Sequence, residues 1–148
     1  MEKALVVFGS NWKPASILIK LFTLSRWCHC GVVDGEHIID TTLTSGCRRI
    51  PISEWVLHYN TYEVMSLPTK SREAYLEKAR SYVGTKYDWR GVASYIFYKD
   101  IDEKDKFFCS ELVADCVGID YKPWSINPSW LYKLSKTLKG WLYDRCKR

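Results

Sequence analysis

Trp27-Cys28-His29-Cys30-Gly31-Val32-Val33-Asp34-Gly35-Glu36-His37-Ile38-Ile39-Asp40-Thr41-Thr42 reads as two strand-like runs, apolar and β-branched, separated by Asp-Gly. Asp-Gly between such runs signals a tight hairpin, because Asp and Gly tolerate the left-handed backbone of a two-residue turn. The stretch therefore predicts an antiparallel pair of strands. With the turn centred between Asp34 and Gly35, His29 and Asp40 are equidistant from it and become cross-strand neighbours.

Working outward, Ala4 to Phe8 is a short apolar run closed by Gly9-Ser10-Asn11, the pattern of a buried strand and a turn. Asn11 or Ser10 can cap the next segment. Pro14 suits a first helical turn, and Ile17, Leu18, Leu21 and Phe22 recur on one helical face. A turn or short helix at Ser53-Glu54-Trp55 precedes a third strand-like run, Tyr59 to Met65. From Ser71 the period becomes helical: Ser71 is an N-cap, Glu73 complements the helix dipole, Tyr75, Ala79, Tyr82 and Val83 line one face, and Gly84 stops it. Trp89 to Phe97 reads as a further helix and Lys99 to Lys106 as a polar loop. Asn127-Pro128 pairs a cap with a first-turn proline and starts a last helix running toward Gly140.

Between these lies Phe107-Phe108-Cys109-Ser110-Glu111-Leu112-Val113. Cys109, Leu112, Val113, Cys116 and Val117 fall at the spacing of an amphipathic helix, which places a thiol on its first turn. A helix N-terminus carries roughly half a positive charge and unpaired N–H groups. It lowers a thiol's pKa and can hydrogen-bond an oxyanion. A buried structural cysteine would also suit the position. His29 is a possible base for the thiol, and Asp40 can fix its tautomer from the neighbouring strand, the logic of a Cys-His-Asp triad.

The 148 residues suffice for one domain with a proper core. Six cysteines, with no CxxC pair, fit free thiols in a reducing compartment. The N-terminal apolar run is too short for a signal peptide or a membrane span. The expectation is a cytoplasmic protein. Lys133, Lys136, Lys139, Arg145, Lys147 and Arg148 stand against Asp144 alone, so residues 133–148 carry the entire net charge of +5. Such an end reads as a solvated helix face and tail, with weak contact to an anionic surface as the other reading. No basic stripe elsewhere suggests specific nucleic-acid binding.

Cys28, His29, Cys30 and Cys47 do not suggest zinc, since adjacent strand residues point to opposite faces. Asp100 to Glu111 places acids at the ends of a calcium loop but has Asp105 where glycine is required. No cofactor or metal is expected, and no phosphate loop or His-Glu-x-x-His is present.

In order, His29-Cys30-Gly31-Val32-Val33, Ile38-Ile39-Asp40, Gly84-Thr85-Lys86-Tyr87-Asp88, Phe108-Cys109-Ser110-Glu111-Leu112-Val113 and Ile126-Asn127-Pro128-Ser129-Trp130-Leu131 resemble the circularly permuted NlpC-type papain-like amidases of the YiiX kind. The resemblance spans roughly residues 4 to 132. It implies an α+β, permuted papain-like fold: a small antiparallel sheet packed with helices, the nucleophile at a helix N-terminus and the histidine preceding it in sequence. It makes Cys109 the nucleophile, His29 the general base and later acid, and Asp40 the orienting group. Tyr87 and Ser110 become candidates for oxyanion or substrate binding.

The substrates implied are peptides, isopeptides, peptidoglycan fragments or other acyl amides, cleaved through a thioester by a monomer. Acyl transfer or thioester hydrolysis on lipids, and a binding protein that kept the scaffold, are the alternatives. A phage or viral origin would reconcile a cell-wall substrate with the missing signal peptide.

Overall fold

A computed structural model describes residues 1–86, 109–120 and 126–145. Its strands are β1 (Glu2–Ser10), β2 (His29–Asp34), β3 (His37–Thr42), β4 (Gly46–Pro51) and β5 (Thr61–Thr69). They form one sheet in the order β4-β3-β2-β1-β5, every pair antiparallel. The helices are α1 (Pro14–Thr23), α2 (Ile52–Trp55) with a 3-10 turn at Val56–His58, α3 (Arg72–Ser81), α4 (Cys109–Val117) and α5 (Pro128–Arg145).

β1 is apolar on both faces because both are covered. Ala4, Val6 and Phe8 face α3, α4 and α5, in a core with Cys30, Val32, Ile39, Tyr75, Leu112, Val113 and Leu131. Val7 faces the other side, where Val33, Ile38 and Trp55 are buried and Leu5 and Tyr59 pack against them. Phe8, Trp27 and Tyr132 join β1, the start of β2 and α5 through ring contacts of 5.1 to 6.1 Å. Tyr75 of α3 donates its hydroxyl to the Leu5 carbonyl at 2.8 Å.

The expected hairpin forms with its register moved. Val32 faces Ile39 and Asp34 faces His37, so the loop is Gly35-Glu36, with Gly35 at φ +60° taking the first turn position. Continuing this pairing sets Asp40 level with Gly31 rather than His29. The displacement is two residues, so the side chains keep their faces.

Strand β4 is absent from the sequence expectations. Its polar Arg48-Arg49 and terminal Pro51 break any strand-like pattern, and these residues suit a sheet edge. Its first residue, Gly46, has φ +64°, and a Cβ there would collide with the Thr85 carbonyl. That carbonyl accepts from Cys47 N–H, while Gly84 N–H donates to the Cys47 carbonyl, both at 2.8 Å.

Ser71 caps α3 by accepting from Ala74 N–H at 3.2 Å. The helix ends at Ser81, and Val83, beyond its last turn, is exposed instead of joining its buried face. Asn127 Oδ1 accepts from Trp130 N–H at 2.9 Å at the start of α5, which continues past Gly140. Asn11 Oδ1 accepts from Lys13 N–H, but the N-cap position of α1 is Lys13 itself, with no side-chain cap, so neither Asn11 nor Ser10 caps the helix. That helix departs most from expectation: Ile17, Leu18 and Leu21 are exposed. The sequence-predicted helix from Trp89 to Phe97 and the loop from Lys99 to Lys106 lie outside the described residues.

Candidate active site

His29 is the first residue of β2, paired with Gly9 of β1, and projects at the end of the sheet. Asp40, fully buried on β3, accepts from its Nε2 through Oδ2 at 2.8 Å. Gly31 makes this approach possible. A Cβ on it would lie 2.9 Å from Ile38 Cγ2 and from the Ile39 carbonyl, and 3.1 Å from Asp40 Cβ.

Asp40 has two further donors: Trp55 Nε1 reaches Oδ2 at 2.8 Å, and Arg48 Nε reaches Oδ1 at 2.9 Å. Three donors hold the buried carboxylate and offset the cost of its desolvation. Burial alone would raise its pKa. His29 first and then Arg48 outweigh that and bring it down to about 2. The imidazole is clamped in turn, its ring parallel to Tyr59 within 9° at 5.5 Å, and Tyr59 stacks on Trp55 at 4.1 Å. Burial foremost pushes the Tyr59 hydroxyl up, keeping it a neutral phenol.

Cys109 opens α4 and lines the same cleft as His29. Since Nε2 is taken by Asp40, Nδ1 is the ring nitrogen left for sulfur. The Cys30 hydrogen bond is the largest influence lowering the Cys109 pKa; burial opposes it, and the His29 charge and hydrogen bond reinforce it. The result lies well below an ordinary thiol. On His29, burial pulls the pKa down, but the Cys109 charge and the Asp40 bond outweigh it and carry it up to about 10. Both shifts favour one state, thiolate beside imidazolium. Burial holds Cys30 well above its usual range, so it stays a thiol and can donate to the Cys109 sulfur.

His29, Cys109, Cys28 and Tyr59 line a cleft of about 270 Å³, closed on one side by Ala15, Ser16 and Ile19 of α1 and on another by Thr41 to Thr44. The sequence-predicted Cys109, His29 and Asp40 are thus brought together. Ser110 is not among the lining residues. It is enclosed, its hydroxyl 3.4 Å from the Ile126 carbonyl, so its contribution to the cleft is limited to its main chain. Tyr87 lies outside the described residues.

Sequence reasoning missed Cys30, Arg48, Trp55 and Tyr59. Cys30 follows His29 on β2 and is buried in the same core cluster as Cys109. Arg48 belongs to the unforeseen edge strand, and Trp55 to a segment that reads only as a turn or short helix. The one signal available was Trp55 itself, an indole that needs a buried acceptor when it joins a core.

Over residues 4–136 the chain matches the family described as permuted papain-like amidase enzyme, YaeF/YiiX, C92. Among solved structures it is similar to the metalloprotein yiiX from Escherichia coli O157:H7, with a TM-score of 0.61 and 20% identity over 80% of this chain and 67% of that one. That degree of identity speaks to the fold. No curated protein matches the chain.

Proposed function

The chain belongs to the permuted papain-like amidases of the YaeF/YiiX, C92 family, and from that premise we propose that it is a cysteine amidase acting through Cys109, His29 and Asp40. One observation carries the reading. A single imidazole is bonded to a buried carboxylate through Nε2 and shares one cleft with the thiol of a helix-terminal cysteine.

In this mechanism the Cys109 thiolate attacks the amide carbonyl carbon, and the π electrons move to oxygen. The oxyanion faces the start of α4, where the helix dipole and main-chain N–H groups stabilise it. His29 then gives its Nδ1 proton to the leaving nitrogen as the C–N bond breaks, which leaves a thioester. Water loses a proton to His29 and attacks that thioester, the acid departs, and the thiolate–imidazolium pair is restored. Asp40 keeps the ring oriented and its charge balanced throughout.

The structural neighbour is titled a metalloprotein. Among the described residues of this chain, no three His, Cys, Asp or Glu side chains are grouped to hold a metal ion, and His29 Nε2 is already taken by Asp40. This donor set does not fit a metal, and no step is routed through one. The substrate is read as a peptide, isopeptide or peptidoglycan-type amide.

Iodoacetamide is expected to modify Cys109 ahead of the other thiols well below pH 8.5, roughly the pKa of a free cysteine. Intact-mass analysis with peptide, isopeptide and peptidoglycan-fragment substrates should reveal a thioester adduct, lost in Cys109→Ala. Equally slow alkylation of every thiol, or turnover that survives Cys109→Ala, would reject the reading.

A further inference from the structure

Helix α1 has the composition of a core helix without a core. Its segment Pro14-Ala15-Ser16-Ile17-Leu18-Ile19-Lys20-Leu21-Phe22-Thr23 is dominated by aliphatic residues, yet none of its described side chains is buried. Leu18 is 53% exposed, Leu21 66%, and Leu24, in the αL cap, 91%. Trp12, just before the helix, is 74% exposed and shares a surface hollow with Leu57, itself 83% exposed.

The pattern is directional. Ala15, Ser16 and Ile19 line the catalytic cleft. At 100° per residue, Leu18 and Leu21 project from the opposite side of the helix. Leu18 and Leu21, three residues apart on one helix, are surface neighbours, and exposed apolar surface of this kind marks a contact site.

Charge selects the occupant. Between Glu2 and Asp34 the chain has no carboxylate, while Lys13, Lys20 and Arg26 flank the apolar face. Arg26 is matched by Glu63 at 3.1 Å. Lys20 has no carboxylate within ion-pair distance among the described residues; its ammonium bonds Ser10 Oγ at 3.2 Å and lies 4.0 Å from the Trp12 ring centre. A second copy packed face to face would oppose lysine to lysine. An anionic lipid surface accepts the leucines, the tryptophan and the lysines together.

We propose that α1, with Trp12 and Leu57, is an interfacial docking element that lays the protein on an anionic membrane, with the cleft on the far side of the helix, about 10 Å from the lipid headgroups. The helix lies on the surface; among the described residues no helix is long and apolar enough to cross a membrane. Amides attached to membrane-bound molecules are then the accessible substrates, an extension that rests on the amidase reading, whereas the docking itself does not.

Flotation of the full chain with phosphatidylcholine vesicles, with and without roughly one third phosphatidylglycerol, tests the docking without any turnover. The protein should float with the anionic vesicles alone and be released in roughly 1 M salt, where the screening length falls to about 3 Å. The Leu18→Ser/Leu21→Ser variant should bind at least about tenfold more weakly, and Lys20→Glu should also weaken binding. Circular dichroism and thermal melting equal to the parent would show that the variants fold. Three outcomes would each overturn the proposal: no flotation with either vesicle, unchanged binding by the folded double variant, or a parent dimer that the double variant converts to monomer in light scattering.

Discussion

At the scale of single residues, the site is governed by what surrounds Asp40. Three donors converge on one buried carboxylate, and each fixes a different neighbour: the imidazole, the Trp55 indole and the Arg48 guanidinium. Removing the charge while keeping the shape isolates its effect. Asp40→Asn withdraws the anion that helps raise His29, so the His29 pKa, about 10 in the parent, should fall. Leaving-group protonation needs the imidazolium, so activity should be lost as pH rises through a lower value than in the parent. A pH profile of turnover, with Cys109 alkylation alongside, checks this; an unmoved alkaline limb would refute the assigned role. Cys30 belongs to the same balance, because its thiol, kept neutral by burial, can donate to the sulfur that must remain anionic.

At the scale of elements, the β2–β3 hairpin carries most of the site. His29, Asp40 and the Asp-Gly turn signal were legible in the sequence because a side-chain period of two constrains which residues share a face. The register itself was misplaced by two residues, since Asp34 closes the ladder instead of entering the loop. The consequence falls on Gly31, which the corrected register sets level with Asp40. Gly31→Ala should cost about 1–3 kcal/mol through overpacking and slow Cys109 alkylation by moving Asp40 from His29. Chemical denaturation and iodoacetamide kinetics measure the two effects. Edge strand β4 was illegible because nothing in its pattern marks a strand, and Arg48 was lost with it. Helix α1 was legible as a helix but not as an exposed one: periodicity reports which residues share a face, not what that face meets.

At the scale of the whole molecule, a second buried carboxylate ties the sheet to its flanking elements. Asp34, at the end of β2, takes Arg49 of β4 at 2.8 Å and Arg80 of α3 at 2.6 Å. The Arg80 hydrogen bond is the largest influence on it; burial opposes and Arg49 assists, bringing its pKa down from 3.8 to about 2. A depressed carboxylate stabilises the fold above its unfolded pKa, and that stability is lost as pH falls through the folded value. Asp34→Asn should therefore cost about 1–2 kcal/mol near neutrality, the partly solvated arginines screening some of the gain. The difference from the parent should shrink between about pH 4 and pH 2 in denaturant titrations. A constant difference across that range would rule out the ion pairs as its source.

The placement of Cys109 also has a temporal side. Its pKa is lowered by Cys30 and His29, which lie on a strand many residues earlier in the chain. Contacts between such distant segments carry a loop-closure cost and come late in folding. An emerging or unfolded chain thus carries Cys109 as an ordinary thiol, and on the proposed mechanism the nucleophile comes into being only when α4 docks on the finished sheet. Reactivity is withheld until the architecture that directs it is complete.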